Sequence, residues 1–243
     1  VENIRLIQKY SASDSAVPVI DRLGTKNWQK NKLKAKLGAE EIAKRLINLY
    51  AERTVSRGFV FSDDTAIHRE FDEFFIYQET PDQLRAVEDI KRAMQSDRPM
   101  DMLLCGDVGY GKTEVVMRAA FRAVYDKKQV AVLVPTTILA EQHYRTFKAR
   151  FAGFPVRIET LNRFRSPSER AKTLKAIARH EVDIVIGTHS LLRKDIAFAD
   201  LGLLVIDEEH KFGVQQKERL KELRKGVDVL TLTATPIPRT LQM

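Results

Sequence analysis

An α/β domain built on a parallel sheet with helices on both faces is the fold this sequence predicts. Three observations carry the prediction. From about residue 77 onward, short apolar runs alternate with helical patterns and short turns, the order expected when parallel strands are joined by crossover helices. The apolar runs are continuous rather than alternating, which suits strands covered on both sides. Two of the helices also announce their starts. Thr80-Pro81-Asp82-Gln83 and Ser166-Pro167-Ser168-Glu169 each supply a hydroxyl cap, a proline at the first helical position and an acceptor at the third.

Taken in order, Asn3–Tyr10 alternates as a short strand, Ser11–Ala16 is a polar turn, and Pro18–Leu23 is a second extended piece. From about residue 27 to 57 an apolar stripe of Leu33, Leu37, Ile42, Leu46, Leu49 and Tyr50 predicts a helix, weakened at Gly38. A further helix is expected over Asp63–Phe75. The strands of the main domain are then Met102–Cys105, Val130–Val134, Val156–Leu161, Ile184–Ile186, Leu203–Ile206 and Val229–Leu232. Helices fall between them at Thr80–Met94, Lys112–Tyr125, Thr137–Arg150, Pro167–Arg179 and Gln215–Leu223. The implied organisation is a small β-domain remnant at 1–26, a helical connector at 27–76 and the α/β domain at 77–243.

Bulk properties narrow the function class. Hydrophobic residues make up 44% and charged residues 30%, an ordinary globular balance. No apolar run approaches the roughly 18–20 residues needed to cross a bilayer, and Val1–Tyr10 lacks the pattern of a signal peptide. The single cysteine, Cys105, excludes an internal disulfide framework and a cysteine-based zinc site. It is expected to be a buried small hydrophobe, and the setting a reducing, cytoplasmic one. Net charge is +8 but uneven: between Lys127 and Arg179 twelve Lys/Arg face three acids, a local excess of nine. Between Ser62 and Asp101 eleven acids outnumber five bases. A basic zone of that kind suits a polyanionic partner or a solvated helix face. The chain starts without methionine and stops just after a motif, so it is expected to be a piece of a longer protein.

Three motifs carry chemistry. Gly106-Asp107-Val108-Gly109-Tyr110-Gly111-Lys112-Thr113 fits the phosphate-binding pattern G-x-x-x-x-G-K-[ST] in full, between a predicted strand and helix. Its backbone N–H groups can close around phosphate oxygens at a helix N-terminus. Lys112 should reach the β- and γ-phosphates of ATP, and Thr113 should ligate Mg²⁺. Asp207-Glu208 follows a strongly apolar strand, which places both acids at the carboxyl edge where ligands bind in open α/β sheets. Asp207 is the candidate magnesium carboxylate and Glu208 the candidate base for the attacking water. Thr231-Leu232-Thr233-Ala234-Thr235-Pro236 ends the last strand, where the hydroxyls of Thr233 and Thr235 can bond the acidic motif. On its own that third stretch would be a Thr-rich strand end and nothing more.

Together with Val134-Pro135-Thr136-Thr137-Ile138-Leu139-Ala140, these motifs resemble motifs I, II, III and Ia of superfamily 2 helicases. Within that group GDVGYGKTE, RFRSPSER, IGTHSLL, DEEHKFGVQQKERL and TATPIPRTL resemble the family of bacterial transcription-repair coupling factors. The resemblance runs from about Tyr77 to Met243 and more loosely back to Val1. It implies a RecA-like ATP-binding domain, half of a motor that translocates on double-stranded DNA, displaces stalled RNA polymerase and links transcription to repair. It also implies that Gln83 reads adenine (besides its role as a helix cap), and that His210 couples motif II to motif III. Thr136, Thr137, Arg163, Arg165, Thr188 and His189 match positions that contact the nucleic-acid backbone. The partners implied are duplex DNA, the polymerase β subunit through the Val1–Leu23 region, and a repair adaptor through parts outside this chain. Because the transition-state arginine of such motors comes from a second RecA-like domain, the isolated chain is expected to be nearly inactive. Three other functions compete. The chain could belong to the related branch-migrating recombination helicases. It could be a P-loop small-molecule kinase or ATPase, which leaves TATPIPRTL and the basic zone unexplained. Or it could act chiefly as a polymerase-docking module.

Overall fold

The computed structural model describes residues 28–30, 33, 36, 57–162, 166–193, 195–209, 212 and 214–234, with only the backbone of 214, 215, 217, 218 and 221. By its internal contacts the chain divides into two units, Val1–Glu52 and Arg53–Met243. Of the first, residues 28–30, 33 and 36 are helical, within the stretch where the apolar stripe predicts a helix. The strands expected before residue 24 lie outside the described residues.

The second unit runs α1 (Ala66–Glu73), α2 (Pro81–Met94), β1 (Asp101–Cys105), α3 (Lys112–Tyr125), β2 (Gln129–Leu133), α4 (Thr137–Arg150), β3 (Ile158–Leu161), α5 (Pro167–Ala178), β4 (Ile184–Gly187), a 3₁₀ turn (His189–Leu192), β5 (Leu201–Asp207), α6 (Val214–Leu223) and β6 (Asp228–Thr233). The strands form one six-stranded sheet in the order β1-β6-β5-β2-β4-β3, and each neighbouring pair is parallel. Both sequence-predicted capping boxes form, at Thr80/Gln83 and at Ser166/Glu169. β3 begins two residues later than the apolar run suggests, because the Asp183 carboxylate takes the Arg157 N–H at 2.7 Å.

Side-chain alternation along the strands builds two cores. Val130, Val132, Ile184, Ile186, Leu203, Val205, Leu230 and Leu232 face α2, α3 and α4. Ala131, Leu133, Val185, Leu204, Ile206 and Val229 face α5, the 3₁₀ turn and α6. That division follows from the period of two along a strand, and it explains why both face sets had to be apolar. Gln129 ties the opposite end of the sheet. Fully buried, it donates to the carbonyls of Ile177 and Val182 and accepts from the N–H groups of Ala199 and Asp200.

β1 departs from expectation. It is the edge strand of the described sheet, with Met102 and Leu104 on the core and the alternate face open. Leu103 is 42% exposed, and Cys105 is exposed rather than buried. An apolar run shows that a strand meets a core, but not whether its other face is covered; sheet order decides that.

The segment before α2 is built into the domain. Phe61 and Phe71 belong to the first core, and Phe71 stacks on Phe121 of α3 with centroids 4.1 Å apart. Around this aromatic contact lies a network of shielded charges. Arg118 pairs with Glu79 (2.6 Å), Glu114 (3.1 Å) and Asp72 (3.3 Å). Arg122 pairs with Asp64, which also meets Lys91 at 2.8 Å. Arg150 pairs with Glu114 at 2.8 Å, donates to the Phe71 carbonyl at 2.7 Å and covers the Phe71 ring. Removing one member of so buried a pair strands its partner, a loss of about 3–5 kcal/mol. Burial raises the Asp64 carboxyl, but its bonds to Lys91 and Arg122 outweigh that and leave it below the usual carboxylate range.

His68, buried in α1, accepts the Thr65 N–H at 3.2 Å through Nδ1 and packs edge-on against Phe121 and Tyr125. Burial, aided by Arg122 and opposed by Asp64 and Asp126, holds its pKa below the ordinary histidine value. The unfolded chain therefore binds a proton at a pH where the folded one does not, and stability falls as pH drops through about 6.5. Thermal melts should show the midpoint falling between pH 7.5 and 5.5. His68→Gln keeps an acceptor at the capping position, and its midpoint should fall distinctly less. Parallel slopes for the two proteins would rule out this role for His68.

Candidate functional site

Parallel strands all end on the same edge, so the sequence motifs that follow them must meet there. β6 lies between β1 and β5, with Cys105 in register with Thr233 and Asp207 in register with Leu232. The loop leaving β1, the acids leaving β5 and the end of β6 are joined by hydrogen bonds. Gly106 N–H donates to the Thr233 carbonyl at 3.2 Å, and Glu208 N–H to the Leu232 carbonyl at 2.9 Å. The Ala234 N–H donates to Glu208 Oε1 at 2.9 Å. The end of β6 is thereby fastened to the loop on one side and to the acidic pair on the other.

The loop fits a polyphosphate. Gly109 and Gly111 take positive φ values of 87° and 69°, conformations that fold successive N–H groups toward one side. Gly111 is also the N-cap of α3 and has no side-chain cap, which leaves first-turn N–H groups for an anion. The Lys112 ammonium donates to the Gly106 carbonyl and, at 2.8 Å, to that of Asp107, so it already lies over the loop. Gln83 braces this geometry from α2. Its Oε1 accepts the Thr80 N–H at 2.8 Å and its Nε2 donates to the Tyr110 carbonyl at 2.9 Å. Each amide atom keeps one further bonding position, so capping the helix and reading a base are compatible. Val108 and Tyr110 are 85% and 67% exposed, at the rim of the loop.

The acidic pair is set differently. Asp207 ends β5 with its side chain 16% exposed, 3.6 Å from His143 Nε2. Glu208 is a non-glycine residue at φ 57°, a conformation that costs about 1–2 kcal/mol and is held by its two bonds to β6. Glu209 turns away to pair with Arg224 at 2.8 Å. The oxygen-only donors Thr113 and Asp207 suit a hard cation such as Mg²⁺. Sequence reasoning missed His143. The signal was there: with Ala140 and Phe147, both fully buried, it occupies the inward face of α4 at helical spacing.

The described candidate nucleic-acid residues, Thr136, Thr137, Thr188 and His189, follow the strands that end further along the same edge. Leu133 is in register with Gly187, and the Val134 N–H donates to the Gly187 carbonyl at 2.9 Å, so the ends of β2 and β4 are adjacent. Thr136 is exposed and caps α4, accepting the Leu139 N–H at 3.2 Å, with its own hydroxyl hydrogen available to donate. Thr137 opens the helix, and Ile138 is 71% exposed. His189 is exposed, but the Thr188 side chain is only 4% exposed and lies against Ser190. Arg163, Arg165, His210 and Thr235 lie outside the described residues. The basic zone is also less of a surface than its charge count implies. Arg150 pairs inward with Glu114 and Lys128 with Asp200, whereas Lys172, Lys175 and Arg179 stand exposed on one side of α5.

At Gly111 a methyl group would meet both an unfavourable φ and the Gln83 amide. Gly111→Ala is expected to weaken binding of a fluorescent ATP analogue by about tenfold, from roughly 1–2 kcal/mol of backbone strain. The same strain in the folded loop should lower the melting temperature by a few degrees. An unchanged affinity in titrations would show that the loop does not hold the phosphates.

Known proteins bear directly on this geometry. The chain is 56% identical over all 243 residues to the transcription-repair-coupling factor of Bacillus subtilis (strain 168), and spans 21% of that relative's length. It is 54% identical, over the same share, to the transcription-repair-coupling factor of Staphylococcus aureus (strain USA300). The chain therefore spans about a fifth of these curated relatives. Among solved structures, RecG bound to a three-way DNA junction superposes with a TM-score of 0.70 at 37% identity, covering 80% of this chain and 26% of that one. The helicase MrfA bound to DNA and AMPPNP shares the fold, with a TM-score of 0.56 at 18% identity, over 74% of this chain and 27% of that one. The sheet order, the helices on both faces and these likenesses make the second unit a RecA-like domain. The sequence profile of DEAD/DEAH box helicases matches residues 80–243, more than half of the chain, so the chain belongs to the DEAD/DEAH box helicase family.

Proposed function

We propose that this chain is the first half of an ATP-driven motor that moves along double-stranded DNA, and that the whole protein uses it to displace stalled RNA polymerase and direct repair. The observation that carries the reading is the continuous row on the carboxyl edge. Phosphate loop, β6 end and acidic pair are bonded together there, and the exposed start of α4 follows on the same edge. The relatives named for coupling transcription to repair match from the first residue to the last, whereas the RecG structure matches 80% of the chain. That difference favours the coupling role over branch migration.

In this reading the loop amides and Lys112 hold the β- and γ-phosphates of ATP, and Gln83 meets the adenine. Thr113 and Asp207 would hold Mg²⁺, which would neutralise charge on the phosphate oxygens. Glu208 accepts the proton of the attacking water as the terminal phosphate leaves ADP. Thr136, Thr137, Arg163, Arg165, the Thr188 backbone and His189 contact phosphates of the duplex. His210, Thr233 and Thr235 link the acidic pair to motif III. Polymerase contact is assigned to the region before residue 27, with the connector at 27–76 leading to the motor. Because the transition-state arginine of such motors comes from a second RecA-like domain, low turnover by the 243 residues alone is expected.

The test uses the wild-type chain and Lys112→Ala. Wild type should bind magnesium-ATP, and Lys112→Ala should lose at least tenfold in affinity while keeping its duplex binding. Duplex affinity should not depend on base sequence, and should fall by about 40-fold between 50 and 200 mM salt if about three phosphates are held. Salt-insensitive or absent duplex binding would favour a small-molecule ATPase. With the full-length protein, displacement of stalled polymerase without fork remodelling supports the coupling role; fork remodelling alone favours branch migration.

A further inference from the structure

Helix α4 touches the candidate ATP site at two separated points. His143, two turns in from the Thr136 cap and about 10 Å along the axis, brings Nε2 to 3.6 Å from Asp207 Oδ2. One helical stretch later, Arg150 forks onto both carboxylate oxygens of Glu114, at 2.8–3.3 Å, directly after Thr113 of the phosphate loop. The same rigid element that begins at the exposed edge therefore reaches the acid of one motif and the neighbour of the other.

We propose that His143 is a positioning residue through which α4 sets the orientation of the Asp207 carboxylate. The proposal rests on the reading that Asp207 holds magnesium. Three features support the role. The side chains of His143 and Asp207 are only 13% and 16% exposed, so water screens their interaction weakly. The imidazole is held on the buried face of α4 beside the Phe147 ring, at 6.3 Å between centroids, and cannot swing freely into solvent. At 3.6 Å the ring lies just beyond a direct hydrogen bond, close enough to orient the carboxylate after a small adjustment. A displacement of α4 at its exposed N-terminus would then be felt at Asp207.

The experiment is a Mg²⁺ titration of fluorescent ADP binding by wild type, His143→Ala and His143→Gln, with Lys112→Ala as reference. His143→Ala should raise the Mg²⁺ midpoint about tenfold, the size expected when a group orienting a metal ligand is removed. Its metal-free nucleotide affinity should match wild type, which also reports that it is folded. His143→Gln, which carries an N–H at similar reach, should recover most of the midpoint. A midpoint unchanged in His143→Ala overturns the proposal, as does an equal loss of affinity with and without metal, the mark of a purely structural role. Undiminished nucleotide binding by Lys112→Ala would instead sink the ATP-site reading beneath it.

Discussion

The function of this domain depends on one short strand end. β6 lies between the strand that carries the phosphate loop and the strand that carries the acidic pair. Its last residues bond to both, through the Gly106–Thr233, Glu208–Leu232 and Ala234–Glu208 contacts. Parallel pairing fixes the direction of all three strands, so the three motifs can only emerge side by side. The strained backbone at Glu208 belongs to the same device. Its left-handed φ turns the side chain back over β6, and the Ala234 N–H holds it there.

Behind that edge the domain is stiffened by charge as much as by apolar packing. α3 carries the phosphate loop at its start and presents Glu114, Arg118 and Arg122, all at most 9% exposed, to α1, α4 and the segment before α2. A helix cannot bury three charges unless partners arrive with fixed geometry. Asp64, Asp72, Glu79 and Arg150 are those partners. The consequence is specific: residues 57–79 pack against the α/β domain, and the loop helix cannot shift without disturbing them.

Much of this was legible in sequence because it rests on local rules. Apolar runs located the six described strands, the capping boxes fixed the starts of α2 and α5, and the glycine pattern placed the loop between β1 and α3. What escaped reading depends on which elements become neighbours. The exposure of Cys105 follows from β1 lying at the sheet edge, not from its own composition. The basic zone looked like one surface because charge was counted along the chain, yet Arg150 and Lys128 meet acids 36 and 72 residues away. Gln129 and His143 looked like ordinary polar residues until the sheet end and the acidic pair closed around them.

Loop, β6 end and acidic pair should respond to one ligand as a unit. Hydrogen exchange in the presence of a non-hydrolysable magnesium-ATP analogue tests it most directly. Backbone N–H groups of 106–113, 207–209 and 233–234 should gain protection together, and Lys112→Ala should abolish all three gains. Protection confined to the loop, with the acidic pair and the end of β6 unchanged, would contradict it.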